Sequence, residues 1–259
     1  MVNLRFSVPV IAVLSLLLAG ACGDRATVAG DGSPAELGPP GPGLSRVILV
    51  GDDIAMNHGE ALGAALDAAG VEFHSMASEG GGTVVGPLSG DLWATLPDRL
   101  RTAKPSTVVY QITGFDWGTE GQQRSAYERL LTTVNGAGAK LVVVTMPPIR
   151  PQEPYAGHLG DLARAPRVAR QVTEAAGDRA AFLDAAAVWG DTYQRVRDGA
   201  ADRSSDGIHT CPQGAARFTT WLLGELAKRY PGFTPPAAEK WADTGWSADD
   251  HFVGCPAAQ

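Results

Sequence analysis

Apolar positions along this chain fall into two rhythms. Short, nearly continuous apolar runs occupy residues 46–50 (RVILV), 71–73 (VEF), 107–112 (TVVYQI), 140–145 (KLVVVT) and 181–184 (AFLD), and runs of this length read as buried strands. Between them, apolar residues recur every three or four positions. Leu62 and Leu66 mark a helix over 58–69 that Gly70 stops, and a shorter helix is expected near 96–103. Tyr127, Leu130, Leu131 and Val134 mark a third helix, and residues 159–176 a fourth. Phe218, Trp221, Leu222 and Leu226 give the last helix a strong apolar face.

Apolar strands alternating with helices predict an α/β fold, a parallel sheet covered on both faces. The expected architecture is a three-layer α/β/α sandwich with five parallel strands. In open sheets of this kind ligands bind outside the carboxyl ends of the strands. That rule places Gly51-Asp52-Asp53, the glycine-rich loop over 80–86, and the residues following Ile112 and Thr145 on one rim. Residues 45–230 account for this domain. Residues 231–259, with Trp241 and Trp246, show no clear period and are expected to wrap it as a tail.

The chain has 259 residues, 44% of them hydrophobic, enough for one domain with a sizeable core. Its net charge of −7, without clustered Lys or Arg, argues against a nucleic-acid partner, which needs a basic face. Arg5 precedes an apolar stretch over 8–21 that is short for a membrane span and reads as an export signal. The segment LLLAGAC, ending at Cys22, resembles a bacterial lipobox, with Ala19 where a leucine is usual. That resemblance implies a lipoprotein signal over 1–22, lipidation of Cys22 and anchoring to the outer face of the cell membrane. The other reading is an ordinary cleaved signal with an incidental cysteine. Residues 23–44, rich in Gly and Pro, are expected to form a flexible linker. In an oxidising compartment, Cys211 and Cys255 are expected to pair and pin the tail to the domain, the alternative being two buried thiols. The histidines at 58, 74, 158, 209 and 251 are scattered and show no metal-ligand spacing; neither a metal nor a cofactor is expected.

Four segments carry the chemistry, in this order: GDD at 51–53, EGGGTVVG at 79–86, TGFDWG at 113–118 and SDGIHTCPQGAARF at 205–218. Together they resemble the SGNH/GDSL hydrolase family over residues 47–228, in particular its exported actinobacterial members and the SGNH domains attached to membrane acyltransferases. DGIH is the most specific piece. The resemblance implies a flavodoxin-like sandwich and an ester or O-acylated carbohydrate as ligand, with an envelope acyltransferase as a partner. It also implies a nucleophile at the position of Asp53, a base at His209 and an orienting carboxylate at Asp206. Gly80 best matches the glycine whose N–H helps bind an oxyanion, and Asp116 best matches the asparagine that supplies a second donor. Trp117 beside it is the aromatic that could stack on a sugar, or simply pack.

The sequence departs from the family at two posts. Asp53 stands where a serine is expected, and neither Asp116 nor, with the alignment shifted by one, Phe115 supplies an amide donor. A carboxylate attacking an ester would form an anhydride and expel an alkoxide, which is uphill. The serine mechanism is therefore not expected to operate unchanged. Asp53 is left with three readings: a relic in a protein that binds without turnover, a general base for water alone or with His209, or a cap on the following helix. If Asp53 lies near Asp116, the two acids could share a proton. Asp206-Gly207 is also a common turn dipeptide, and Ser75 and Ser78 are minor alternatives as nucleophiles.

Overall fold

The computed structural model describes residues 37–256. The expected signal segment, Cys22 and most of the linker lie outside the described residues, as do the last three residues of the tail. The end of the linker packs on the domain. The Leu37 N–H donates to Thr102 O, the Gly38 carbonyl accepts from the Arg46 guanidinium, and Leu44 is buried.

Five parallel strands form the sheet: β1 (Arg46–Val50), β2 (Glu72–Ser75), β3 (Thr107–Gln111), β4 (Lys140–Val144) and β5 (Ala180–Leu183), in the order β2-β1-β3-β4-β5. The central strands β1 and β3 are buried along their whole length, which is why they read as apolar runs. Edge strand β2 differs: Glu72, His74 and Ser75 are exposed, so only Phe73 carries an apolar signal there.

Helices cover both faces. The helix α1 (Asp53–Ala68) packs against the last helix (Pro212–Arg229) on one face, where Leu62, Leu66, Phe218, Leu222 and Leu226 join Val47 and Leu49 in a common core. On the other face α2 (Ser89–Ala103), α3 (Glu120–Gly136) and α4 (Leu159–Ala175) enclose Ile48, Val50, Tyr110 and Val143. A short α5 (Ala186–Trp189) precedes a two-stranded hairpin of β6 (Val196–Arg197) and β7 (Ala200–Ala201); the last helix is thus α6. Sequence periodicity places the start of α1 at residue 58 and that of α2 at 96, but both begin earlier. In α2, Pro97 sits inside the helix. Among the described residues no helix is long and apolar enough to cross a membrane.

The tail is built into the domain. Trp241 is buried in the α1–α6 core with Trp246 and Phe252 against it, and Cys255 is disulfide-bonded to Cys211 at the start of α6. From β1 the chain returns to the sheet on one side as β2 and on the other as β3. The carboxyl ends of β1 and β3 therefore form the crevice where such sheets hold ligands.

Candidate functional site

At the end of β1 two adjacent aspartates divide the work. Asp52 is fully buried and caps α1: its Oδ1 accepts from the N–H groups of Ile54 (3.1 Å) and Ala55 (3.4 Å). Its Oδ2 accepts from the Gly114 N–H at 2.7 Å, so one carboxyl ties the ends of β1 and β3 together. Burial, reinforced by the neighbouring Asp53 charge, pushes the Asp52 carboxyl up to about 7 despite those donors. The helix cap is thus Asp52. Asp53 is the first residue of α1; its Oδ1 takes the Ile54 N–H and its Oδ2 is left to face the rim.

Opposite it stands the 205–210 turn. Asp206 Oδ1 accepts from the N–H groups of Ile208 (2.7 Å) and His209 (3.0 Å), while its Oδ2 lies 2.7 Å from His209 Nδ1. The turn dipeptide and the orienting carboxylate are therefore the same residue in two roles. Gly207 has φ +86°, and a Cβ there would sit 2.5 Å from Arg150 Cδ, so both conformation and space call for glycine. The guanidinium of Arg203, buried to 1% exposure, donates to the carbonyls of Pro148, Ile208 and His209 and locks the turn in place.

His209 Nε2 comes to 3.1 Å from Asp53 Oδ2, completing a chain Asp53–His209–Asp206. The hydrogen bond to Asp53, opposed by burial and joined by that to Asp206, raises the imidazole to about 9. Burial works against Asp206, but the N–H groups of Ile208 and His209 and the imidazole hold its carboxyl below the usual range. At neutral pH the ring is an imidazolium with a carboxylate on each nitrogen. In a serine-type triad Nε2 must accept a proton from a hydroxyl; here it donates to a carboxylate.

The remaining expected site residues are not all on this rim. Asp116 is fully buried, its oxygens within 2.6–3.1 Å of the hydroxyls of Thr83, Tyr110, Thr113 and Tyr127. Burial raises its carboxyl against those four donors. It is held in the core by those hydroxyls, and the charge that bears most on Asp52 is that of Asp53, with Asp116 adding less. Gly80 is exposed and lines a separate hollow with Ser75 and Ser78. The glycines that the fold requires in this loop are Gly82, whose Cβ at φ +67° would overlap the Gly51 carbonyl, and Gly86, whose Cβ at φ +88° would crowd the Phe115 carbonyl. Trp117 stacks on His158 with ring centroids 3.7 Å apart and lines a further groove of about 690 Å³ with Trp93 and Arg129.

The hollow that does contain Asp53 and His209 is about 230 Å³ and is walled by Glu79 and by Asp250, His251 and Val253 of the tail. Asn57, 1% exposed, holds that wall: its Nδ2 donates to the His251 carbonyl and its Oδ1 accepts from the Thr210 N–H. Tyr155 packs on Gly114 and Ile208, and its hydroxyl is raised by burial and then by the charges of Asp53, Asp52 and Asp206. His58 lies beneath, kept neutral by burial that lowers it to about 3, between Gln111 Oε1 (2.6 Å) and Thr210 Oγ1 (3.1 Å). Sequence reasoning passed over Asp52, Asn57, Tyr155, Arg203 and the tail residues. Only Asp52 carried a local signal, standing directly before a helix.

The sequence matches no protein-family model and no curated protein. Solved structures do match the fold. A protein from Slackia heliotrinireducens assigned as an SGNH hydrolase is 20% identical, with a TM-score of 0.52, covering 69% of this chain and 96% of its own. An acylhydrolase by assignment, from Bacteroides fragilis, gives 15% identity and a TM-score of 0.54 over 74% and 91% of the two chains. LAE5, described as an α/β hydrolase enzyme from the metagenome of Lake Arreo, Spain, gives 16% identity and 0.54 over 72% and 96%. The described domain therefore has the fold of SGNH hydrolases, with an Asp–His–Asp chain at the rim where the two central strands end.

Proposed function

We propose that this protein is an SGNH-fold receptor of the cell envelope that recognises an O-acylated glycan or a related ester without turning it over by the serine mechanism. The observation that carries the reading is the 3.1 Å contact of His209 Nε2 with Asp53 Oδ2. It occupies the nitrogen that would have to act as base, with a group that cannot make a stable acyl ester. Asp116, turned into the core, supplies no donor to an oxyanion either. The rim, the hollow and the orienting Asp206 persist, which favours retained binding over a wholly relict surface. Anchoring through Cys22 on a linker over 23–44 would hold the domain at the outer face of the membrane, beside an envelope acyltransferase as partner.

The test compares the full chain with Asp53→Ser on p-nitrophenyl acetate. Background turnover by the wild type and a gain of tenfold or more in the variant would support a surviving pocket that lacks only its nucleophile. Wild-type turnover that disappears in His209→Ala would reject the reading.

A further inference from the structure

The C-terminal segment from Asp249 to Cys255 runs across the start of α1 as a strap. Three contacts fix its backbone independently of its acidic side chains: Asn57 Nδ2 to His251 O at 2.8 Å, Ser204 Oγ to Val253 O at 2.8 Å, and the Cys211–Cys255 disulfide. Fixed in this way, the strap brings Asp249 and His251 to Glu60 on α1, and one donor atom from each lies within 4.8 Å of the others. Glu60 has no hydrogen-bond or ion-pair partner among the described residues, although it is partly buried and faces a second carboxylate. Asp249 is already used by the strap, accepting from the His251 N–H and contacting its Nδ1.

We propose that Glu60, Asp249 and His251 bind one divalent transition-metal ion that clasps the strap to α1. Two carboxylates and one neutral imidazole offer a donor set of charge −2, which a divalent ion neutralises. The imidazole selects zinc-like ions over calcium or magnesium, which take oxygen ligands. With metal–ligand bonds of about 2.1 Å, tetrahedral donors stand roughly 3.4 Å apart. Side-chain rotations on the order of 1 Å therefore close the set, and water completes the coordination. His251 also walls the hollow that holds Asp53 and His209, so the clasp would fix one side of that cavity. Sequence spacing hides the set because Glu60 lies far from the other two ligands. The inference does not depend on what the hollow binds.

The test is calorimetric titration of the full chain with zinc chloride in metal-free buffer at pH 7.5, with magnesium chloride as the control ion. One saturable zinc site is expected, weakened at least tenfold by Glu60→Gln and by His251→Ala and accompanied by slower amide exchange over 249–255. Glu60→Gln preserves shape at a helix surface, and equal melting of the metal-free proteins would exclude a folding defect. Absence of saturable zinc binding would overturn the proposal. So would binding that both variants leave intact, or zinc and magnesium binding with equal affinity.

Discussion

His209 Nε2 lies 3.1 Å from Asp53 Oδ2, and this contact joins the imidazole to two aspartates in one ion cluster. With Asp206 on the other nitrogen, the ring's folded value of about 9 stands above its ordinary 6.5. The stabilisation is complete below 6.5 and is lost as pH rises through 9. Its size is bounded by about 3 kcal/mol, reduced by solvent screening because the ring is partly exposed. The groups facing the ring are Asp53 from α1 and Asp206 from its own turn, with Glu79, Asp250 and His251 across the hollow. NMR titration should show His209 still protonated at pH 8. A midpoint near 6.5 would mean that the chain does not form in solution.

The two adjacent aspartates should respond unequally to substitution. Asp52→Ala removes the cap of α1 and strands the Gly114 N–H, so a loss of roughly 2–4 kcal/mol is expected in urea denaturation. Asp53→Asn leaves the cap untouched and should cost less, about 1–2 kcal/mol at pH 7, since its pair with His209 is only partly buried and partly screened. It should nonetheless lower the His209 midpoint by more than one pH unit, because Asp53 is the largest cause of its elevation. Equal destabilisation by both substitutions would contradict this division.

What the sequence revealed was local, and what it concealed was assembled from distant segments. The apolar runs of β1, β3 and β4 were legible because those strands are buried on both faces, whereas Glu72 and His74 on edge strand β2 obeyed solvent rather than any core. Gly51-Asp52-Asp53 and Asp206-Gly207-Ile208-His209 could be read because turn and orienting carboxylate are encoded within a few residues, but the cap was read at Asp53 where Asp52 supplies it. Asp116 misled for the opposite reason. Its hydroxyl partners come from the loop after β2, from β3 and its end, and from α3, and no spacing rule joins them. Asn57, Arg203 and the tail act through backbone carbonyls, which leave no pattern in side-chain chemistry.

Asp116→Ala discriminates between a core anchor and a ligand donor. Removing the carboxyl leaves the buried hydroxyls of Tyr110 and Tyr127 without their acceptor, each costing about 1–3 kcal/mol. The expected result is a loss of about 3 kcal/mol or more, with the His209 titration nearly unchanged. Unaltered stability together with a displaced His209 midpoint would return Asp116 to the site.

Arg203 tests whether the histidine's position is held from behind. Its guanidinium is nearly inaccessible, donates to three carbonyls of two segments, and lies 5.7 Å from the Trp189 ring and 5.3 Å from the Tyr193 ring. Burial lowers it only to about 10, so it remains charged at neutral pH. Arg203→Met keeps the stem but leaves the Pro148, Ile208 and His209 carbonyls without these donors, and a cost of roughly 3 kcal/mol is expected. Because two of those carbonyls belong to the turn that carries His209, the loss should not stop at stability. Amide exchange over 204–210 should quicken, and the His209 midpoint should fall toward its ordinary value as the contact with Asp53 loosens. Destabilisation without either change would show that the turn holds His209 through Asp206 and Gly207 alone.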